Sequence, residues 1–126
     1  MQLTKNFKKE EFDSKDGAEM PREVLENIKT LSKYVQLIRN EIGVPLVINS
    51  GYRSPQHNAK VGVKNSYHVQ GKASDLNPKG ITPKQLYDVI IKLIKGGVIY
   101  NGGVGLYDTF VHYDIGGKGR RWDYRK

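Results

Sequence analysis

The chain has 126 residues, a formal net charge of +8 and no cysteine, which excludes disulfide bonds and thiolate metal sites. A chain of this length predicts a single domain over residues 1–126 with a core large enough to fold without cross-links, and we expect it to be a monomer. No apolar run approaches the roughly eighteen residues of a membrane span, and the lysine-rich start lacks the apolar stretch of a secretory signal. We therefore expect a globular protein that is cytoplasmic as synthesised.

The positive charge favours an anionic partner, because long-range attraction concentrates polyanions near a basic surface. Nucleic acid, acidic lipid and anionic cell-wall polymer all satisfy this condition. Apart from the C-terminal run KGRRWDYRK, the basic residues are spread along the chain and form no single helix face. A dedicated nucleic-acid groove is therefore not expected.

Three segments have the features of helices, at about 21–42, 55–60 and 83–95. In the first and the third, apolar residues recur at three- and four-residue spacing, which is typical of amphipathic helices. The first helix has Pro21 in its first turn and Gly43 after its last, both common at these positions.

Short apolar or alternating runs predict four strands, at 46–48, 72–78, 102–107 and 109–115. The last two are joined by a turn at Tyr107 and Asp108. Helices interspersed with short strands in this order indicate an α+β fold, with a small, mostly antiparallel sheet and the helices packed on one side. No internal repeat or linker divides the chain.

Few side chains can bind a transition metal, because the chain has only three histidines. In the strand TFVHYDI, alternation places His112 and Asp114 on the same face. Together with His68 and Asp75 from NSYHVQGKASD, His112 completes a set of two imidazoles and one carboxylate. Such a set leaves a fourth position open, as in a catalytic zinc site. Spacing alone equally allows His68 to stabilise a turn and Asp75 to be a surface carboxylate, and we expect His57 to be exposed or hydrogen-bonded.

Longer motifs carry a family resemblance. The run NSGYRSPQHNAKVGVKNSYHVQGKASDL and the later GGVGLYDTFVHYDI resemble the M15 family of zinc D-Ala-D-Ala carboxypeptidases and the related phage peptidoglycan endopeptidases. The resemblance covers about residues 45–122. It implies the fold shared by hedgehog and D-Ala-D-Ala peptidases, a bound Zn²⁺, and cleavage of peptidoglycan stem peptides by a carboxypeptidase or an endopeptidase that reaches the cell wall after release.

The resemblance also implies residue roles. The zinc ligands correspond to His68, Asp75 and His112. Arg53 matches the arginine that holds a substrate carboxylate, a task for which its planar guanidinium is suited, although a surface salt bridge is the alternative. Ser66 matches a position near the substrate, and a hydroxyl that stabilises a turn is the alternative there.

One departure from the family pattern concerns the general base. Many relatives have Glu or Asp three residues before the last histidine, where this chain has Thr109, which cannot accept a proton at neutral pH. Asp108 and Asp114 are the nearby carboxylates, and we favour Asp114 as the catalytic base because it shares a strand face with His112. Asp114 equally suits a hydrogen bond to a ligand imidazole. The departure also leaves open a catalytically inactive module that binds cell-wall peptides.

Aromatic side chains surround these motifs. Four tyrosines are candidates either for a substrate groove or for the core, namely Tyr52, Tyr67, Tyr107 and Tyr113. Trp122, in the basic C-terminal run, is expected to anchor that run to the domain.

Overall fold

The computed structural model describes residues 1–61 and 66–126, so residues 62–65 of the motif run lie outside the described part. The described helices are α1 (Arg22–Ile42), α2 (Pro55–Val61) and α3 (Pro83–Lys95). The described strands are β1 (Leu46–Ser50), β2 (Ala73–Pro78), β3 (Gly103–Leu106), β4 (Val111–Asp114) and β5 (Arg120–Asp123). Short 3₁₀ helices occur at Lys9–Phe12 and Tyr67–Gln70.

The five strands form one sheet in the order β1-β2-β4-β3-β5. All neighbouring strands are antiparallel except β3 and β5, which run parallel. Helix α3 packs on the central strands, and α1 packs on α3. The predicted α+β fold with a mostly antiparallel sheet is confirmed.

None of the helices within the described ranges has both the length and the apolar composition that crossing a bilayer requires.

The two faces of the sheet differ in character. The β3–β4 ladder pairs Val104 with Tyr113 and Leu106 with Val111, and all four side chains are buried in the core. Buried residues of the helices that join this core include Ile28, Leu31, Leu86 and Ile90. Because side chains alternate along a strand, the residues between these core positions lie on the opposite face. That face carries the polar residues of the predicted site.

The predicted helices agree with the structure to within one residue, but strand β5 and both 3₁₀ helices were missed. The sequence of β5, RRWD, has no apolar–polar alternation, and it joins the sheet by backbone pairing with β3. Trp122, predicted to anchor the C-terminal run, lies in this strand. The predicted strands at 102–107 and 109–115 are each longer than β3 and β4, because a loop separates Leu106 from Val111.

A hydrogen-bond cluster joins the N-terminal segment to the start of α2. The carboxylate of Asp16 accepts hydrogen bonds from Ser54 Oγ at 2.5 Å and from Ser14 Oγ at 2.7 Å. Ser54 Oγ in turn accepts from the backbone N–H of His57 at 3.0 Å, which caps α2. The cluster therefore holds in place the turn that carries Arg53.

Asp16 is expected to make stability depend on pH. Hydrogen bonds from Ser54 and Ser14 lower the pKa of Asp16 to about 2, from an ordinary value of 3.8. A lowered folded-state pKa stabilises the fold above the unfolded pKa, and this contribution is lost as the pH falls through the folded value. Asp16→Asn should therefore unfold more easily than wild type near about pH 6, and the difference should shrink between about pH 4 and about pH 2.

Denaturant unfolding of both proteins across this pH range measures the difference. In a Ser54→Ala background, which lacks one donor to Asp16, the same substitution should have a smaller effect. A difference between Asp16→Asn and wild type that stays constant down to pH 2 would contradict the assigned role of Asp16.

Candidate metal centre

The polar face of the sheet brings the three predicted ligands together. Asp75 lies on β2, His112 on β4, and His68 in the 3₁₀ helix Tyr67–Gln70. One ligand atom from each of these residues lies within 4.8 Å of the other two. Residues separated by up to 44 positions in the sequence therefore offer two imidazoles and one carboxylate at a single place.

The register of the sheet and a capped turn account for this convergence. In the ladder between β2 and β4, Asp75 is paired directly with His112. His68 is presented by a turn in which Ser66 Oγ accepts from His68 N at 3.1 Å and Gly71 N donates to His68 O at 3.2 Å. The structure thus places Ser66 as a turn-stabilising residue next to the cluster.

The orientation of the His68 ring follows from the hydrogen bond made by its outer nitrogen, Nδ1, the one that does not face Asp75. Nδ1 lies 2.7 Å from the carbonyl oxygen of Gly51, and since a carbonyl only accepts, Nδ1 is the donor. Nε2 then points inward, 3.4 Å from Asp75 Oδ1. His68 itself is buried, so this orientation is held by packing as well as by the hydrogen bond.

The His112 ring lies between two carboxylates. Nε2 is 2.7 Å from Asp114 Oδ2, and Nδ1 is 3.1 Å from Asp75 Oδ1. Burial lowers the pKa of His112, but the hydrogen bonds to Asp114 and Asp75 outweigh it, and the net pKa is raised. Burial raises the pKa of Asp75, but the hydrogen bonds from His112 and His68 outweigh it, and the net pKa is lowered.

These residues fit a zinc ion. Each imidazole bonds to the protein through its outer nitrogen, as metal-binding histidines do, and turns its inner nitrogen towards the shared oxygen of Asp75. Nitrogen and carboxylate oxygen are ligand types that zinc takes in catalytic sites. A metal ion would compete with protons for these atoms, so its binding would release protons. Suitable ligand atoms are His68 Nε2, Asp75 Oδ1 and His112 Nδ1.

Arg53 lies at the edge of the cluster. Its Nη2 donates to Asp75 Oδ2 at 3.2 Å, and its Nε donates to Ser50 Oγ at 3.1 Å. The side chain is 16% exposed, so the guanidinium is partly accessible from solvent. Arg53 therefore orients the carboxylate of Asp75, and it is placed close to any group that binds beside that carboxylate.

Asp114 is almost fully buried, and both of its oxygens accept hydrogen bonds. Oδ2 accepts from His112, while Oδ1 accepts from Gly103 N at 3.1 Å, from Gly116 N at 3.0 Å and from Arg120 Nη2. Burial raises the pKa of Asp114, but the hydrogen bond and the charge of His112 outweigh it and lower the pKa overall. Asp114 shares a face with His112, and its carboxylate lies against the outer nitrogen of that ring.

Asp108, the other candidate for the general base, and Thr109, at the position that holds the base in many relatives, lie away from the cluster. Asp108 and Thr109 are both exposed, in the loop between β3 and β4. The carboxylate of Asp108 accepts a hydrogen bond from the backbone N–H of Lys126 at 3.2 Å. Within the described ranges, neither residue belongs to the cluster of potential metal ligands.

The remaining candidates divide between the core and the surroundings of the site. Tyr52 and Tyr113 are buried in the core, and half-buried His57 lies in α2 outside the cluster. Tyr67 lies beneath the guanidinium of Arg120, and its ring centroid is 4.9 Å from Arg120 Cζ.

Two neighbours of the cluster were missed from the sequence. Arg120 donates to Asp114, and the ring of Trp122 lies 5.1 Å from the His112 ring, centroid to centroid. The available signal was Gly103 and Gly105 in the predicted strand GGVGLY, since glycine inside a strand often marks a close approach.

Comparison with known proteins assigns the family. The family model described as peptidase M15 matches residues 2–114. The chain belongs to the M15 peptidase family. The resemblance inferred from the motifs is thereby confirmed, and the matched part of this M15 peptidase contains every candidate ligand, whereas β5 lies beyond it.

A curated relative of this M15 peptidase is the probable peptidoglycan L,D-endopeptidase MepK of Haemophilus influenzae. It is 41% identical over an alignment of 75 residues, which covers 52% of this chain and 37% of the relative. The chain therefore spans well under two thirds of the length of that relative.

The turn that presents His68 is expected to depend on Gly71. Gly71 has a φ of +72°, and an added Cβ would lie 2.7 Å from Val24 Cγ1 and 2.7 Å from Val24 O. Gly43 has a similar φ of +69° with nothing within 4 Å of an added Cβ. Gly43→Ala should cost about 1–2 kcal/mol for the left-handed backbone alone, and Gly71→Ala roughly 1–3 kcal/mol more for the overlap.

Denaturant unfolding of the two variants gives the comparison directly. Equal losses of stability would show that Val24 and the turn adjust at no cost, contrary to this expectation.

Proposed function

We propose that this M15 peptidase is a zinc-dependent peptidase that acts at the cell wall on the stem peptides of peptidoglycan. The observation that carries the proposal is the convergence of His68 Nε2 and His112 Nδ1 on Asp75 Oδ1. The relative from Haemophilus influenzae, a probable peptidoglycan L,D-endopeptidase, supports the substrate class. The net charge of +8 favours approach to an anionic wall.

The residues at the site have separate tasks in this proposal. Zinc bound there would supply an acidified water molecule and polarise the scissile carbonyl. Arg53 uses two of its five N–H donors on Asp75 and Ser50, which leaves donors that can bind a substrate carboxylate. Arg53 thereby links the position of the substrate to that of Asp75. Ser66 holds the turn of His68 and lies near the bound peptide.

For Asp114 we propose the positioning of His112 rather than general-base catalysis. A base must reach the water molecule that attacks the substrate, whereas Asp114 is 1% exposed and accepts from four donors. It also lies at Nε2, the ring nitrogen that points away from Asp75. A carboxylate at this position sets the tautomer and orientation of a ligand imidazole.

Metal-dependent wall cleavage tests the main proposal. Wild-type protein should bind zinc, release peptides from purified cell walls, lose this activity with a chelator and regain it with added zinc. His68→Ala should lower the rate by more than about 100-fold, beyond the range for residues that only contact a ligand. His57→Ala is the matched control, because it removes a histidine outside the cluster and should leave the rate unchanged.

Mass spectrometry of the released peptides then identifies the bond that is cut, and so separates a carboxypeptidase from an endopeptidase. If the protein binds zinc and wall peptides but leaves the walls intact, it is a binding module and the proposed enzymatic activity is wrong. Protein that binds no zinc would overturn the metal site.

The role of Asp114 is tested by measuring metal affinity separately from turnover. Asp114→Asn should weaken zinc binding about 10–100-fold, because the neutral amide is a poorer acceptor for His112 Nε2–H. Asp108→Asn, which changes an exposed carboxylate outside the cluster, should leave the zinc dissociation constant unchanged. A general base would behave differently, since its loss lowers kcat at full zinc occupancy without changing the affinity for zinc.

A further inference from the structure

Strand β3 has glycine at two positions that face the candidate metal centre. The ladders align Asp75 of β2, His112 of β4, Gly105 of β3 and Trp122 of β5 in one row across the sheet. Residues aligned in this way project from the same face of a sheet. The row therefore contains two candidate ligands, a position without a side chain, and an indole.

The neighbouring row on the same face repeats this arrangement. Ala73, Asp114, Gly103 and Arg120 are aligned across the same four strands. Again a glycine of β3 separates a functional residue of β4 from a large side chain of β5. Two consecutive rows thus have no side chain between β4 and β5.

The two gaps are filled by the side chains of β5. Trp122 crosses Gly105 to reach His112, and a Cβ added to Gly105 would lie 2.7 Å from Trp122 Cζ2. Arg120 crosses Gly103 to reach Asp114, and a Cβ added to Gly103 would lie 2.7 Å from Arg120 Nη2. Both contacts depend on the absence of a side chain in β3.

Both side chains are held in place by further contacts. The guanidinium of Arg120 donates from Nε to Gly117 O at 2.9 Å and lies over the ring of Tyr67. The indole of Trp122 donates from Nε1 to Tyr107 OH at 3.0 Å. Arg120 and Trp122 are therefore each fixed on one side by their neighbours, and each contacts the site on the other side.

We propose that Arg120 and Trp122 are positioning residues for His112. Arg120 acts through Asp114, whose carboxylate it holds in the position that accepts His112 Nε2–H. Trp122 acts by packing against the imidazole and restricting its rotation. Rigid support of this kind holds a ligand in productive geometry. The proposal rests on the zinc site proposed above and assigns a role to a strand beyond the matched family segment.

Zinc affinity distinguishes positioning from a purely structural role of β5. Arg120→Gln should weaken zinc binding about 10-fold, near the lower end of the range for residues that support a ligand, because it contacts Asp114 and not His112 itself. Arg121→Gln is the matched control on the same strand. Arg121 donates to Gly102 O at 2.8 Å and to Asn101 Oδ1 at 2.6 Å, away from Asp114, and its loss should leave zinc affinity unchanged.

The measurements are the zinc dissociation constant, from competition with a chromogenic chelator, and the visible absorption of the cobalt-loaded protein. Trp122→Leu should change the cobalt spectrum, and Trp122→Phe, which keeps an aromatic ring, should restore most of it. Arg120→Lys keeps a cation that can reach Asp114, and it should bind zinc more tightly than Arg120→Gln. This variant also serves as the test if Arg120→Gln does not fold.

A double variant checks the route of the effect. If Arg120 acts through Asp114, then Arg120→Gln combined with Asp114→Asn should bind zinc as weakly as Asp114→Asn alone. Wild type that binds no zinc would overturn the proposed function itself. If wild type binds zinc, and Arg120→Gln and Arg120→Lys both bind it as tightly as wild type does, the positioning role is overturned and the proposed function stands.

Discussion

The imidazole of His112 is held at both nitrogens, by Asp75 on one side and Asp114 on the other, and the rest of the site is arranged around this contact. A ring held in this way cannot rotate without breaking a hydrogen bond to a carboxylate, and such bonds are among the stronger ones in proteins. His68 completes the arrangement because its own outer nitrogen is held by Gly51 O. The orientations of the two candidate ligand imidazoles are therefore fixed by Asp114 and by Gly51 O, which bind their outer nitrogens.

Two arginine–carboxylate pairs surround this ring. Arg53 pairs with Asp75, and Arg120 pairs with Asp114. Both carboxylates are buried, and a buried charge is costly unless it is paired and hydrogen-bonded. Each arginine thus makes an ionised aspartate tolerable inside the domain and also fixes its direction. This coupling joins the N-terminal half of the chain to its last strand through one small polar network.

Local patterns were sufficient for α1, α2 and α3, and the motifs that carry the family resemblance were sufficient to name the candidate site residues. The periodic apolar positions of α1 and α3 and the capping residues at their ends depend only on near neighbours in the chain. The motif from Ser66 to Asp75 is likewise a local signal, because the turn that presents His68 is closed by Ser66 and Gly71. Strand β5 was missed, since its residues reveal their place only when the backbone of β3 is available for pairing.

The sequence by itself determined the α+β class and the M15 family, and it pointed to three residues as candidate metal ligands. It left two roles open for Asp114, which was predicted to share a face with His112 and to act either as the catalytic base or as a hydrogen-bond partner of a ligand imidazole. Tertiary structure decided which nitrogen of each imidazole faces Asp75, and it brought Arg120 and Trp122 across Gly103 and Gly105 to the site. The physical reason is register: pairing between distant strands sets which side chains meet, and no local pattern in a single strand encodes that alignment.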